Sequence, residues 1–149
     1  MTIPRRHVLL GLATTLVPLP VLATPPEVRD RIATLFGPGP LLQGPITLDL
    51  PALAETGNSV PLTVLVESPM TGEDRITRLA LFAEENPRPV VCEVAFGPRA
   101  CAASLTTNIR LAATQSIVCV AQHLDGRLLT ARREVRVVVG ACTTLPGRY

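Results

Sequence analysis

The stretch QSIVCVAQHLDGRLLTARREVRVVVG, residues 115–140, decides the fold. Two long runs rich in Val, Leu and Ile flank Asp125-Gly126, the strongest short-range hairpin signal in the chain. The first run, around Ser116, Ile117, Val118, Cys119, Val120 and Ala121, is apolar on both faces of a strand. The second ends on three valines, Val137 to Val139, and then meets Gly140, Ala141 and Cys142. A strand pair of this kind needs a sheet to sit in and a second layer to cover it.

Working outward toward the N-terminus, five more runs have strand character: residues 46–50, 60–68, 76–84, 89–96 and 101–111. Turn signals separate them: Thr56-Gly57-Asn58, Ser68-Pro69, Asn86-Pro87 and Gly97-Pro98. About seven short strands with no helix between them predict an all-β chain, an immunoglobulin-like antiparallel β-sandwich. Ahead of them, Val28, Ile32, Leu35 and Phe36 fall at helical spacing after Pro25-Pro26 and before Gly37-Pro38-Gly39-Pro40. That spacing predicts one short helix, too short to stand alone and therefore packed on the sandwich.

The first residues read as an export signal. Arg5-Arg6 precede an apolar stretch, and Val21-Leu22-Ala23 forms a small-residue cleavage site. The adjacent arginines resemble a twin-arginine signal, the alternative being an ordinary secretory one. The apolar stretch is short and interrupted by Pro18 and Pro20, so no membrane span is expected once it is removed. The expected organisation is a signal at 1–23, helix and linker at 24–45, a sandwich at 46–139 and a flexible arm at 140–149. Of 14 basic and 12 acidic residues, Arg5 and Arg6 leave with the signal. The near-neutral remainder excludes a basic nucleic-acid face. All basic residues are arginine, and the aromatic residues are Phe36, Phe82, Phe96 and Tyr149.

Conventional catalytic chemistry finds little to work with. The chain has two histidines, His7 in the signal and His123, so no metal site or cofactor is expected. His123 reads as a surface residue at a strand end. No GxSxG elbow occurs. The acidic pairs Glu73-Asp74 and Glu84-Glu85 read as solvated loop charge. The cysteines remain: Cys92, Cys101, Cys119 and Cys142. Cys119 reads as a buried thiol acting as a small hydrophobe. Cys92 and Cys101 would oppose each other if their strands formed a hairpin about Gly97-Pro98; the choice there is a cross-strand disulfide or two free thiols. Cys142 follows a strand end and reads as an exposed, reactive thiol. The alternative is a structural cysteine paired with Cys119 or with another chain.

Several segments together resemble the SoxY family: ITLDLPALAETGNSVPLTVLVESPMT (46–71), LFAEENPRP (81–89) and IRLAATQSIVCVAQHLDGRLLTARREVRVVVG (109–140). Leu50-Pro51, Gly57-Asn58, Val60-Pro61, Ser68-Pro69-Met70, Thr114-Gln115 and Asp125-Gly126 carry the likeness. The resemblance implies a periplasmic sulfur carrier of the thiosulfate-oxidising system, paired with a SoxZ-like subunit and not itself an enzyme. SoxAX would load it, SoxB remove sulfate and SoxCD oxidise the sulfane sulfur. It implies Cys142 as the residue that holds the cargo covalently. The family's arm reads Gly-Gly-Cys-Gly-Gly, whereas here Gly140-Ala141 precede the cysteine and Thr143-Thr144 follow it. β-branched residues and Pro146 stiffen what glycines would leave free. The chain therefore looks like a divergent relative with a variant arm. A β-sandwich that binds or scaffolds without carrying cargo is the alternative, and a dimer bridged through Cys142 a third.

Overall fold

The computed structural model describes residues 24–141. The expected export signal at 1–23, Cys142 and the remaining expected arm residues Thr143 and Thr144 lie outside the described residues. One helix, α1 (Pro26–Phe36), is followed by nine strands: β1 (Leu41–Gln43), β2 (Ile46–Asp49), β3 (Leu53–Thr56), β4 (Val60–Val66), β5 (Ile76–Ala83), β6 (Val90–Ala95), β7 (Ala103–Ile109), β8 (Gln115–His123) and β9 (Leu128–Val139). They form two sheets. One has six strands in the order β1-β9-β8-β5-β6, with β3 also on β9; the other has the order β2-β4-β7.

The inner faces of the two sheets make the main core. Val60, Leu62, Val64 and Val66 alternate inward from β4 while Pro61, Thr63 and Leu65 are less buried. They meet Leu79, Leu81, Ile117, Cys119 and Ala121 from the larger sheet. Pro61 lies on the part of β4 that β2 does not reach, so its missing N–H interrupts little of the ladder. The other face of β5 and β8 presents Ala80, Phe82, Val118 and Val120. Val28 and Ile32 of α1 cover these residues, and Leu35 and Phe36 pack at the margin. This is why β5 and β8 read as continuous apolar runs rather than alternating ones: both faces are dry. Pro26 opens the helix, and Gly37 at φ 82° closes it.

The strand count and direction correct the expectation in part. All seven expected runs are strands, but β1 and β3 are additional, and both pair parallel with β9. They are three and four residues long, and neither LLQ nor LAET alternates apolar with polar residues as the equally short β2 does. β9 has twelve residues, and its free edge takes β1 near its start and β3 near its end.

The hairpin expected at Asp125-Gly126 joins β8 to β9 with eight register pairs, from Gln122 opposite Leu128 to Gln115 opposite Val135. Gly126 takes φ 91°, a conformation that favours glycine. His123, expected at the surface, is instead buried at the end of β8. Its Nε2 lies 3.1 Å from Asp74 Oδ1 and its Nδ1 2.9 Å from Asp125 Oδ1. The turn at Ser68-Pro69-Met70 folds Asp74 back toward the sandwich, and that brings the carboxylate over the ring. Glu84 also departs from expectation. Its side chain is 5 % exposed and accepts a hydrogen bond of 2.6 Å from Arg132 Nη2. Burial raises its pKa above the ordinary carboxylate value, an effect that Arg132 opposes and Glu85 adds to.

Candidate functional site

The end of β9 is the part of the fold that leads to Cys142. Beyond Val135 the strand has outrun β8, whose first residue, Gln115, is the last to pair with it. The segment at 110–114 takes over on that side. Thr114 Oγ1 accepts a hydrogen bond of 2.9 Å from the Val137 amide and donates one of 3.3 Å to the Val137 carbonyl. One side chain thus replaces the ladder that the missing strand would supply.

Three backbone bonds then fasten the strand end. The Gly57 amide donates to the Val139 carbonyl, the Leu111 amide donates to the Gly57 carbonyl, and the Ala141 amide donates to the Leu111 carbonyl, each at 2.8 Å. Leu111 is itself fully buried in the core. The crossing is close enough to exclude side chains. A Cβ on Gly57 would stand 2.0 Å from the Leu111 oxygen, and one on Gly140 would stand 1.9 Å from the Ala112 oxygen. Ala141 is buried.

Gly140 and Ala141 were expected to begin a flexible arm. They are instead part of the sandwich end: Gly140 is packed against the Ala112 carbonyl, and Ala141 is hydrogen-bonded to Leu111. Gly140 is required here for close approach of another chain segment rather than for freedom of its dihedrals. Beside this point Leu53, Val138 and Val139 are 56 %, 68 % and 60 % exposed. They leave apolar surface uncovered at this end of the sandwich.

The other cysteines are apart from this end. Cys92 and Cys101 do not face each other, because β6 and β7 belong to different sheets and no hairpin joins them. Both are free thiols, Cys92 half-buried and Cys101 exposed. Cys119 is fully buried, and its thiol is pushed up to about 12, chiefly by burial and further by Cys92 nearby. Cys92 and Cys119 are the register partners of Leu81 on its two sides. Among the described residues no three His, Cys, Asp or Glu side chains gather where they could hold a metal ion. No helix among them is long and apolar enough to cross a membrane.

The model of the family described as "Sulfur oxidation protein SoxY" matches residues 32–142. This chain belongs to the SoxY family. The match ends on Cys142 itself. Among solved structures, the chain is similar to the sulfur carrier protein SoxY from Chlorobium limicola f thiosulfatophilum, at 32% identity and TM-score 0.66, covering 76% of this chain and 97% of that one. Superoxide reductases share the fold alone. The one from Ignicoccus hospitalis is 20% identical with TM-score 0.57, over 64% of this chain and 82% of that one. The one from Nanoarchaeum equitans is 10% identical with TM-score 0.53, over 64% and 100%. No curated protein sequence matches.

Two of the sites that carry the SoxY likeness have structural roles here. Gly57 of Gly57-Asn58 is the link between Val139 and Leu111. Thr114-Gln115 marks where β8 begins and where a side chain must take over from it.

Proposed function

We propose that this SoxY-family protein is a covalent sulfur carrier whose cargo is held on Cys142. The observation that supports the reading is that the family match runs through Cys142 while the fold fastens the chain up to Ala141. The cysteine therefore follows directly in sequence on a residue that the sandwich holds in place. Loading joins the Cys142 sulfur to the sulfane sulfur of thiosulfate. The thiol loses its proton, a sulfur–sulfur bond forms, and two electrons leave to the loading enzyme, which must be an oxidant of the SoxAX kind. SoxB- and SoxCD-like enzymes then work on the bound group, and the sandwich itself supplies no catalytic residue.

Export through the signal at 1–23 places the carrier in the periplasm, and a SoxZ-like subunit is its partner. The uncovered apolar residues Leu53, Val138 and Val139 suit a protein contact at that end. Intact mass of the protein recovered from thiosulfate-grown cells tests the reading. A mass increase of one thiosulfate-derived group that disappears in Cys142→Ser is expected, along with lost growth on thiosulfate. If no adduct is found on Cys142 and the serine variant grows normally, the protein is a binding or scaffold subunit instead.

A further inference from the structure

The clamp on Gly140 and Ala141 is only as firm as the segment that forms it, and that segment is a loop. Residues 110–114 lie between β7 and β8 with no strand pairing of their own. Two side chains hold them. Asn86 Nδ2 donates to the Arg110 carbonyl at 2.8 Å. Asn86 Oδ1 accepts from the Ala112 amide and from Gln115 Nε2, each at 2.9 Å. Gln115 Nε2 also donates to the Ala113 carbonyl at 3.1 Å, and its Oε1 accepts from the Glu85 amide at 2.8 Å. Gln115 is 4 % exposed, so each of its bonds is made away from water, where leaving a group unmade is costly. Three needs of the loop backbone, at Arg110, Ala112 and Ala113, are met by this pair.

We infer that Asn86 and Gln115 are positioning residues for the carrier cysteine: they hold the 110–114 loop in the place that seats Gly140 and Ala141. Their effect passes through Ala112, whose carbonyl covers Gly140, and through Leu111, whose carbonyl holds the Ala141 amide. Consecutive Cα atoms are about 3.8 Å apart, so by fixing Ala141 the clamp confines the next residue's sulfur to within about 7 Å of a set point on the sandwich. The inference rests on Cys142 as the carrier residue for its functional meaning, but not for its test.

Residue-resolved amide hydrogen exchange on the full-length protein is that test. In Asn86→Ala and in Gln115→Ala the Ala141 amide should exchange at least about tenfold faster, while amides of Leu81 and Val120 keep their rates, as expected for a local opening. Asn86→Asp, which keeps the acceptor for Ala112 but sets a carboxylate oxygen against the Arg110 carbonyl, should restore part of the protection. A nitroxide label on Cys142, with Cys92 and Cys101 replaced by Ser, should narrow its spectrum in the alanine variants and broaden again in Asn86→Asp. Unchanged exchange at Ala141 overturns the inference. So does equal acceleration of the core amides in both alanine variants without rescue by Asn86→Asp, which would make the pair merely structural. Failure to find an adduct on Cys142 in cells removes the carrier reading and leaves the exchange result standing.

Discussion

Gly140 and Gly57 show that a glycine can serve opposite purposes. Next to a reactive cysteine, glycine reads as slack; in the fold it is the one residue that lets two chain segments cross at contact distance. The information lies in Ala112 and Leu111, which arrive from elsewhere in the chain, so local sequence could not carry it. Gly140→Ala and Gly57→Ala must push backbone oxygens aside, and each is expected to cost about 1–3 kcal/mol by overpacking. Gly97→Ala is the control, since its Cβ would meet nothing within 4 Å. Thermal melts should show lowered midpoints for the first two and an unchanged one for the third. The burial of His123 and Glu84 is hidden for a similar reason: Asp74 and Arg132, which pair with them, are distant in sequence. The thiols were more legible, because burial follows from the apolar run around Cys119. In Cys142→Ser, iodoacetamide at pH 8 should label Cys101 fast, Cys92 slowly and Cys119 only on unfolding, read by peptide mass. Rapid labelling of Cys119 in the folded protein would contradict its place in the core. The raised thiol also implies stability that is complete below pH 9, where the unfolded thiol stays protonated, and that declines as pH rises toward about 12.

Strands long enough to show a pattern were readable as elements, and the two that were not are the ones with no pattern to show. Leu41, Leu42 and Gln43 are all exposed, and β3 buries one residue of four. Such strands exist because β9 offers an edge, a property of the sheet and not of their own residues. The β8–β9 hairpin was legible because its turn chemistry is local. That same turn carries a pH dependence. Asp125 accepts from the Arg127 amide at 2.9 Å and from Arg127 Nε at 2.6 Å, and it faces His123. Chiefly through the Arg127 backbone bond, with the side chains of Arg127 and His123 adding, its carboxyl is lowered from 3.8 to about 2. A depressed carboxyl stabilises the fold above its unfolded value, and that contribution is lost as pH falls from about 4 through about 2. Asp125→Asn should therefore flatten this limb of a plot of melting temperature against pH, and should leave the slope above pH 5 unchanged. A wild-type slope retained in the variant would assign the limb to other carboxylates.

At the scale of the whole molecule, β5 and β8 make one unit of what could have been two layers. Leu79, Leu81, Ile117 and Cys119 face the sandwich interior, while Ala80, Phe82, Val118 and Val120 on the same strands face the helix. A disturbance on either side is felt through the same backbone. Leu62 belongs to the inner core and Ile32 to the helix face, and both are essentially buried. Leu62→Ala and Ile32→Ala should each cost about 2–5 kcal/mol, the range for deleting a buried aliphatic side chain. If the sheet couples the layers, either variant lowers the midpoint of one shared transition, with the calorimetric and van't Hoff enthalpies equal. Were α1 an independent appendage, Ile32→Ala would split off an early helical transition and leave the strand signal at its wild-type temperature. Scanning calorimetry paired with far-ultraviolet dichroism separates the two outcomes, and the apolar residues on both faces of β5 and β8 favour the single transition.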